Sequence, residues 1–319
     1  MTKTPPSEAP SELKLIERIR ARVPVPKGGG AVLGIGDDCA IFRPRAGEEL
    51  LFTTDMMIEN VHFHRLTHPA AEVGWKTLAR GLSDIAAMGG EPRFCLLSLA
   101  LADGTDQKWV DAFYRGLLKL AAKYRVPLMG GDIAAAEILV ADIVVCGGAP
   151  TGKALRRDGA RPGDVIYVTG PLGGAALGLE TGKGAAWKKH STPEPRIELG
   201  RELRGTATAC MDLSDGVSLD LHRLCTASGV GAELESIPVF KGATLDHALH
   251  GGEDYELLFT APATAKVPKA AIRIGTIVRG KPGAVTMNGA PLAPMGYDHL
   301  KRSKTAGRSS RDLGEFPDV

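Results

Sequence analysis

Residues 34–42 read GIGDDCAIF, with Asp37 and Asp38 side by side between the apolar runs Ala31 to Leu33 and Ala40 to Phe42. A carboxylate taken out of water has to be paired or to hold a metal, because burying it bare costs several kcal/mol. The run from Ala31 to Phe42 reads as a strand. Period-two alternation then sends the two carboxylates to opposite faces, one toward a ligand and one bracing the turn.

The same arrangement recurs outward from that point. LLFTTD, LSDIAAMGG, LMGGD and MDLSDG each deliver aspartates from an apolar strand or helix at a turn marked by Gly, Ser or Thr. They supply Asp55, Asp84, Asp132, Asp212 and Asp215. Taken singly, such an aspartate reads as a helix N-cap or an Asx-turn. Asp84 resists that reading, because it lies among Leu82, Ile85 and Ala86 inside a helix, where Asp has poor propensity. Brought together, these carboxylates cannot all ionise without hard cations. An all-oxygen donor set suits Mg2+ or Mn2+ rather than zinc. Hydroxyls at Thr53, Thr54 and Ser214 are placed to add oxygen ligands or to donate to phosphates. Mg2+ held by a few carboxylates completes its shell with water and phosphate, so the pattern points to a nucleotide or polyphosphate.

Composition narrows the classes. The chain has 319 residues, 44% hydrophobic and 24% charged, with a formal net charge of +2. That length favours two domains with a sizeable core, and the balanced charge gives no nucleic-acid footprint. Forty glycines exceed the usual ~7% without a collagen period, and read as turns and close approaches to ligand. Five cysteines without a C-x-x-C pair or a secretory signal read as reduced core thiols of a cytoplasmic protein. No apolar run approaches the ~18 residues of a membrane span.

Periodicity gives a helix at Glu12 to Arg22, strands at Ala31 to Phe42 and Leu50 to Thr54, and a helix from Ala71 to Met88 ending at Gly89-Gly90. A strand at 93–101, a helix at Trp109 to Tyr124 and two strands within 126–148 follow. After a connection at 149–163 come a strand at 164–170, a helix opened after Gly173, and a helix from Pro195 to Leu203. A strand at 206–213, a helix from Gly216 to Ala227, and strands near 231–236, 255–260 and 272–278 complete the reading, with a hairpin turn at Asn288-Gly289. Residues 1–11 read as a flexible leader and 301–319 as a disordered tail.

Two phosphate-loop resemblances are decoys. GGAPTGKA (147–154) has the P-loop spacing, but Ala154 replaces the Mg2+-binding Ser or Thr. GPLGGAALG (170–178) lacks the G-x-G-x-x-G spacing and reads as a tight turn. His62 and His64 form an H-x-H with no third ordered ligand, which makes zinc a weak alternative.

Together these segments resemble the thiamine-monophosphate kinase family, in the superfamily of aminoimidazole-ribonucleotide synthetase and selenophosphate synthetase. The resemblance rests on GIGDDCA, TTDMMIENVHF, LARGLSDIAAMGG, LMGGD, ALRRDGARPGDVIYVTG, MDLSDG, GGEDYELLFT and GYDHL, in the family's order from about residue 12 to 300. It implies an α/β fold of two domains. Residues 12–150 would form an α/β domain that binds metal and nucleotide and dimerises through its sheet, and 151–300 a C-terminal α/β sandwich. It implies ATP- and Mg2+-dependent phosphorylation of thiamine monophosphate to thiamine diphosphate, by a homodimer. By resemblance, Asp38 (rather than Asp37), Thr53, Thr54, Asp55, Asp84, Asp132, Asp212 and Asp215 would hold several Mg2+ ions. Tyr114, Gly131, Asp132, Arg157 and Ser214 would contact ATP, and His62, Glu253 and Tyr297 the thiamine moiety. Two positions depart from the family: Ile133 where Thr is usual, and Asn60 where Gly commonly precedes VHF; the region around 180–195 looks shortened.

No catalytic side chain is expected. The acceptor is a phosphate monoester with a second pKa of ~6, already a dianion at neutral pH, so metals and a bidentate clamp from Arg157 would carry the transfer. The alternatives are another ATP-using member of the superfamily acting on a different small acceptor, and a non-catalytic Mg-nucleotide-binding protein.

Overall fold

The computed structural model describes residues 12–23 and 29–296. The leader 1–11, the tail 301–319 and Tyr297 lie outside the described residues. Helix α1 (Glu12–Arg22) precedes a two-stranded ribbon of β1 (Ala31–Leu33) and β2 (Ile41–Phe42). Strand β3 (Glu48–Ile58), helix α2 (Ala70–Ala87), strand β4 (Glu91–Ala102), helix α3 (Gln107–Tyr124), β5 (Leu128–Ala136) and β6 (Val140–Pro150) build the first layer pair. Their four strands run in the order β3-β6-β4-β5, antiparallel except for the β4–β5 pair. One face of this sheet is buried against α2 and α3. The helices approach closely: a Cβ on Gly116 would lie 1.7 Å from the Ala71 carbonyl oxygen.

The second half contains β7 (Val165–Val168), α4 (Gly174–Thr181), α5 (Gly184–Ser191), α6 (Ile197–Glu202), β8 (Ala209–Asp212), α7 (Val217–Ser228), β9 (Gly231–Leu234) and α8 (Leu245–His250). It closes with β10 (Leu257–Ala261), β11 (Ile272–Val278), β12 (Val285–Met287) and β13 (Ala290–Pro291). Its sheet has the order β13-β12-β9-β11-β7-β10-β8, with only β9–β12 parallel. Strand alternation makes this sheet two-sided. Leu257, Phe259 and Ala261 of β10 join the core of the first half, while Leu258 joins a second core with Leu221 and Leu224 of α7. Helix α2 thereby lies between the two sheets, and this placement positions the site.

The helices expected at Glu12 to Arg22, Ala71 to Met88 and Trp109 to Tyr124 are present within two residues. Asp106 caps α3 by accepting from the Trp109 N–H at 2.8 Å. Gly89 follows α2 at φ +65°, as a C-terminal glycine does. Asn288 and Gly289 turn β12 into β13 at φ +50° and +80°, the signature of a type I′ hairpin. Helices α5 and α8 are additions to the sequence reading; both are short and bury a single narrow face.

One expected strand is corrected. Residues 34–40 are irregular, with Gly36 at φ +130°, so Ala31 to Phe42 is two short strands and a loop. Alternation therefore does not sort Asp37 from Asp38. Both are exposed, and the Asp38 N–H donates to Asp37 Oδ1 at 2.8 Å, an Asx-type brace. Cys39 in the same loop is exposed, unlike the other four thiols. The loop's glycines keep it out of the sheet, which removes the burial argument from these two carboxylates.

Both decoys resolve as structure. Residues 147–150 are extended strand at the end of β6, where a phosphate loop would leave the strand and open a helix. At the second, the N–H groups of Gly173 and Ala175 at the start of α4 donate to Asp254 at 2.5 and 3.0 Å. The protein's own carboxylate takes the place an anion would occupy at that helix N-terminus.

Candidate active site

The GGED loop, residues 251–254, faces α2 across a cavity of about 690 Å³. The floor comes from α2, whose Lys76, Arg80, Ser83 and Asp84 share one face at helical spacing in an otherwise apolar helix. Across from it, β3 sends Thr53 and Asp55 inward. The Thr53 hydroxyl donates to Asp84, and Arg80 Nη2 donates to Asp55 Oδ1 at 2.7 Å. From β8, Asp212 accepts from Ser83 Oγ at 2.7 Å. Asp215 pairs with Arg223, and Asp220 accepts from the N–H groups of Ser214 and Asp215 at 3.1 and 2.9 Å, which fixes the LSDG turn.

Strand alternation separates Thr54 from its neighbours. Its hydroxyl donates to Asp142 Oδ1 at 2.8 Å on the outer face of the sheet, whereas Thr53 and Asp55 face α2. Asp132 lies on that outer face too, in a row with Ser98 and Asp142 across three strands. Asp132, Gly131, Tyr114 and Asp38 line a second cavity of about 590 Å³, walled by Ile16 and Ile19 of α1. The sequence-predicted residues thus fall in two groups. Asp55, Asp84, Asp212, Asp215, Ser214, His62 and Glu253 share the first cavity, with Thr53 bonded to its floor. Asp38, Tyr114, Gly131 and Asp132 share the second; Thr54 reaches the rim of the first from the outer sheet face, and Arg157 is exposed beside the first and acts on Asp84 through its charge.

Electrostatics single out the floor. Burial pushes Asp55 up to about 6 against the pull of Arg80, with Asp84 and Asp142 adding repulsion. Burial also raises Asp84, opposed by the Thr53 hydroxyl and the charges of Arg80 and Arg157. Asp212 is raised well above the usual range by burial and the Asp84 charge. Such mutually repelling, dehydrated carboxylates are what a divalent cation relieves. Among the described residues no three His, Cys, Asp or Glu side chains are already gathered round one point; each floor carboxylate is held by a protein donor.

At the other end of the cavity, sequence reasoning named His62 and Glu253 but missed Lys76 and His190, which hold Glu253. Lys76 is only 2% exposed and donates to Glu253 Oε2 at 2.8 Å, while His190 Nδ1 lies 3.3 Å from the same oxygen. Burial alone would raise Glu253, but Lys76, His190 and Arg80 overcome it and hold the carboxylate down at about 2. His190 is driven to about 3 by burial and the Lys76 charge, and so is neutral. His68 packs on it, with the Nε2 atoms 3.3 Å apart, and Trp187 covers both. The i, i+4, i+8 spacing of Lys76, Arg80 and Asp84 could have revealed this stripe. The partnership with Glu253, 177 residues away, left no local trace. Glu253 and Tyr255 adopt φ +67° and +50°, strain that recurs at ligand sites.

The departure at Asn60 has a backbone explanation. Its φ is +65°, a conformation that Gly and then Asn tolerate best, and its Oδ1 meets His64 Nδ1 at 3.1 Å. Ile133 presents an apolar wall to the second cavity, and its N–H donates to Asp132 Oδ1 at 2.9 Å.

The family models AIR synthase related protein, N-terminal domain, and AIR synthase related protein, C-terminal domain, match residues 36–149 and 161–287. Thiamine-monophosphate kinase of Salmonella typhimurium is 40% identical over 250 residues, 72% of this chain and 76% of that protein. Thiamine-monophosphate kinase of Stenotrophomonas maltophilia has a crystal structure that superposes with a TM-score of 0.77 at 35% identity, over 88% of this chain and 97% of that one. AaThiL, solved complexed with AMPPCP and TMP, superposes with a TM-score of 0.75 at 30% identity, over 91% and 97%. The two-domain match, the identity along most of the chain and the carboxylate-floored cavity agree, and the chain belongs to the thiamine-monophosphate kinase family.

Proposed function

We infer that the protein transfers the γ-phosphoryl group of ATP to thiamine monophosphate, giving thiamine diphosphate and ADP. One observation carries this reading: a single cavity joins the Asp55–Asp84–Asp212–Asp215 floor, suited to cations and phosphates, to an end lined by His62 and Glu253, suited to an organic cation. AaThiL, similar over nearly its whole length, was solved with AMPPCP and TMP.

The acceptor phosphate needs no general base, being a dianion above its second pKa of ~6. The obstacle is charge: at an effective dielectric of ~20, each pair of unit charges ~4 Å apart repels by roughly 4 kcal/mol. Mg2+ ions bound by Asp55, Asp84, Asp212 and Asp215 would supply the neutralising charge and alignment for an in-line displacement. Thr53 orients Asp84, Ser83 orients Asp212, and Asp220 sets the turn that carries Ser214 and Asp215. Arg157, beside Asp84, is placed to clamp a phosphate with its guanidinium fork. Asp38, Thr54, Tyr114, Gly131 and Asp132 are assigned to the nucleotide and its metals, on the second cavity and the outer sheet face.

That outer face also supports a homodimer. Phe52 and Met56 are 65% and 50% exposed there, an apolar surface of the kind subunits cover. A cytoplasmic location suits the unpaired thiols. Among the described residues no helix is long and apolar enough to cross a membrane. The test is direct: purified protein with ATP, Mg2+ and thiamine monophosphate should form thiamine diphosphate with no phosphoenzyme. ATP use only with another acceptor overturns the substrate assignment, and nucleotide binding without turnover of any acceptor overturns catalysis.

A further inference from the structure

Arg80 lies one turn from Lys76 and one turn from Asp84 on α2. Its Nη2 donates to Asp55 Oδ1 at 2.7 Å and its Nη1 to the Met56 carbonyl at 2.9 Å, while the buried Nε finds no acceptor among the described residues. The guanidinium fork is therefore used only in part. Two arginines elsewhere in the chain are held more fully. Arg196 gives Nε and Nη2 to the two oxygens of Glu256 at 2.7 and 2.5 Å, and Arg93 turns both Nε and Nη2 on one oxygen of Glu48 and its Nη1 to Glu91. Two-pronged pairs are the stronger and more directional ones. Arg80 instead stands among the charges of Asp55, Asp84 and Glu253, bound to one oxygen of one of them.

We propose that Arg80 is a displaceable counter-ion of Asp55: a divalent cation takes the carboxylate from it, and the released guanidinium turns to a phosphoryl oxygen of the nucleotide. This rests on the phosphoryl-transfer reading above. It makes Arg80 a positioning residue that couples metal to nucleotide. A cation arriving alone must compete with a guanidinium that loses its partner. A cation arriving with phosphate displaces a guanidinium that gains one, so each ligand strengthens the other by the same factor.

The test measures Mn2+ binding by the paramagnetic resonance of the free ion, at about pH 8, with and without AMPPCP. It compares wild type, Arg80→Gln and Arg80→Lys, each checked by circular dichroism and melting. Arg80→Gln should bind Mn2+ on the order of tenfold more tightly than wild type when nucleotide is absent. The tightening that AMPPCP brings should shrink by the same factor, and Arg80→Lys should stay near wild type. Unchanged or weaker Mn2+ binding by a folded Arg80→Gln overturns the proposal and leaves Arg80 a fastener between α2 and β3. If that variant does not fold, wild type decides alone: Mn2+ affinity indifferent to AMPPCP overturns the coupling. Wild type that binds no Mn2+ even with nucleotide speaks instead against the metal-dependent reading itself.

Discussion

Replacing Lys76 by Met tests the buried pair that joins α2 to the GGED loop. The substitution keeps the side chain's length and removes its charge, leaving Glu253 buried without its main partner. Glu253 sits at about 2 where an unfolded chain has 4.5, a gap worth roughly 3 kcal/mol at ~1.4 kcal/mol per unit. A quarter of its side chain opens to the cavity, and burial pushes the Lys76 ammonium down, a cost that the variant escapes. We therefore take ~2–3 kcal/mol as the expected loss, at the lower end of that for breaking a buried pair. For a chain of this size it corresponds to a melting temperature lower by about 3–5 °C. The pH dependence follows from the direction of the shift. A carboxylate held below its unfolded value contributes stability that is full above about pH 4.5 and lost as pH falls toward about 2. The deficit of Lys76→Met should therefore be widest near neutral pH and narrow on acidification. Melting by circular dichroism at about pH 7.5 and about pH 4 reads both effects. A double variant, Lys76→Met with Glu253→Gln, should recover much of the loss while binding thiamine monophosphate poorly. A single variant melting within about 1 °C of wild type at both pH values would refute the reasoning.

Asp84→Asn should fold normally and lose on the order of 10³-fold in kcat/KM, since transition-state charge stabilisation is removed; retained activity would make Asp84 a structural helix residue. Asp212→Asn should also inactivate, yet melt higher than wild type above about pH 5, because a carboxyl raised by burial and by Asp84 destabilises the fold once it is forced to ionise. Thiol labelling should find one fast cysteine, Cys39, protected by ATP with Mg2+, and four slow ones, since Cys39 alone is exposed and lines the second cavity; protection of none would detach that cavity from the nucleotide. Phe52→Asp should shift a dimer to monomer in light scattering, and an unchanged mass would place any dimer contact elsewhere.

Much of the secondary structure was legible because its periodicities are strong. Helices α2 and α3 carry apolar residues at three- and four-residue spacing, and the β6 run is long and apolar. The positions of the carboxylates at turns were equally plain, and with the resemblance they led to the family. The loop at 34–40 misled, because a glycine-rich run between short apolar pieces imitates a strand in a linear reading. Its aspartates are exposed, so their identity cannot be argued from burial. Thr53 and Thr54 looked equivalent in sequence, yet strand alternation sends one to α2 and the other to Asp142.

By itself the sequence determined which residue types are available, how they repeat along helices and strands, and which turns offer carboxylates to a hard cation. Only the tertiary structure decided which of them meet. It set α2 between two sheets, so that Asp84, Asp55 and Asp212 come from three distant segments to one floor. It also paired Lys76 with Glu253 across 177 residues. Local preferences act over a few residues, whereas a buried charge is satisfied by whatever the packing brings within about 3 Å of it.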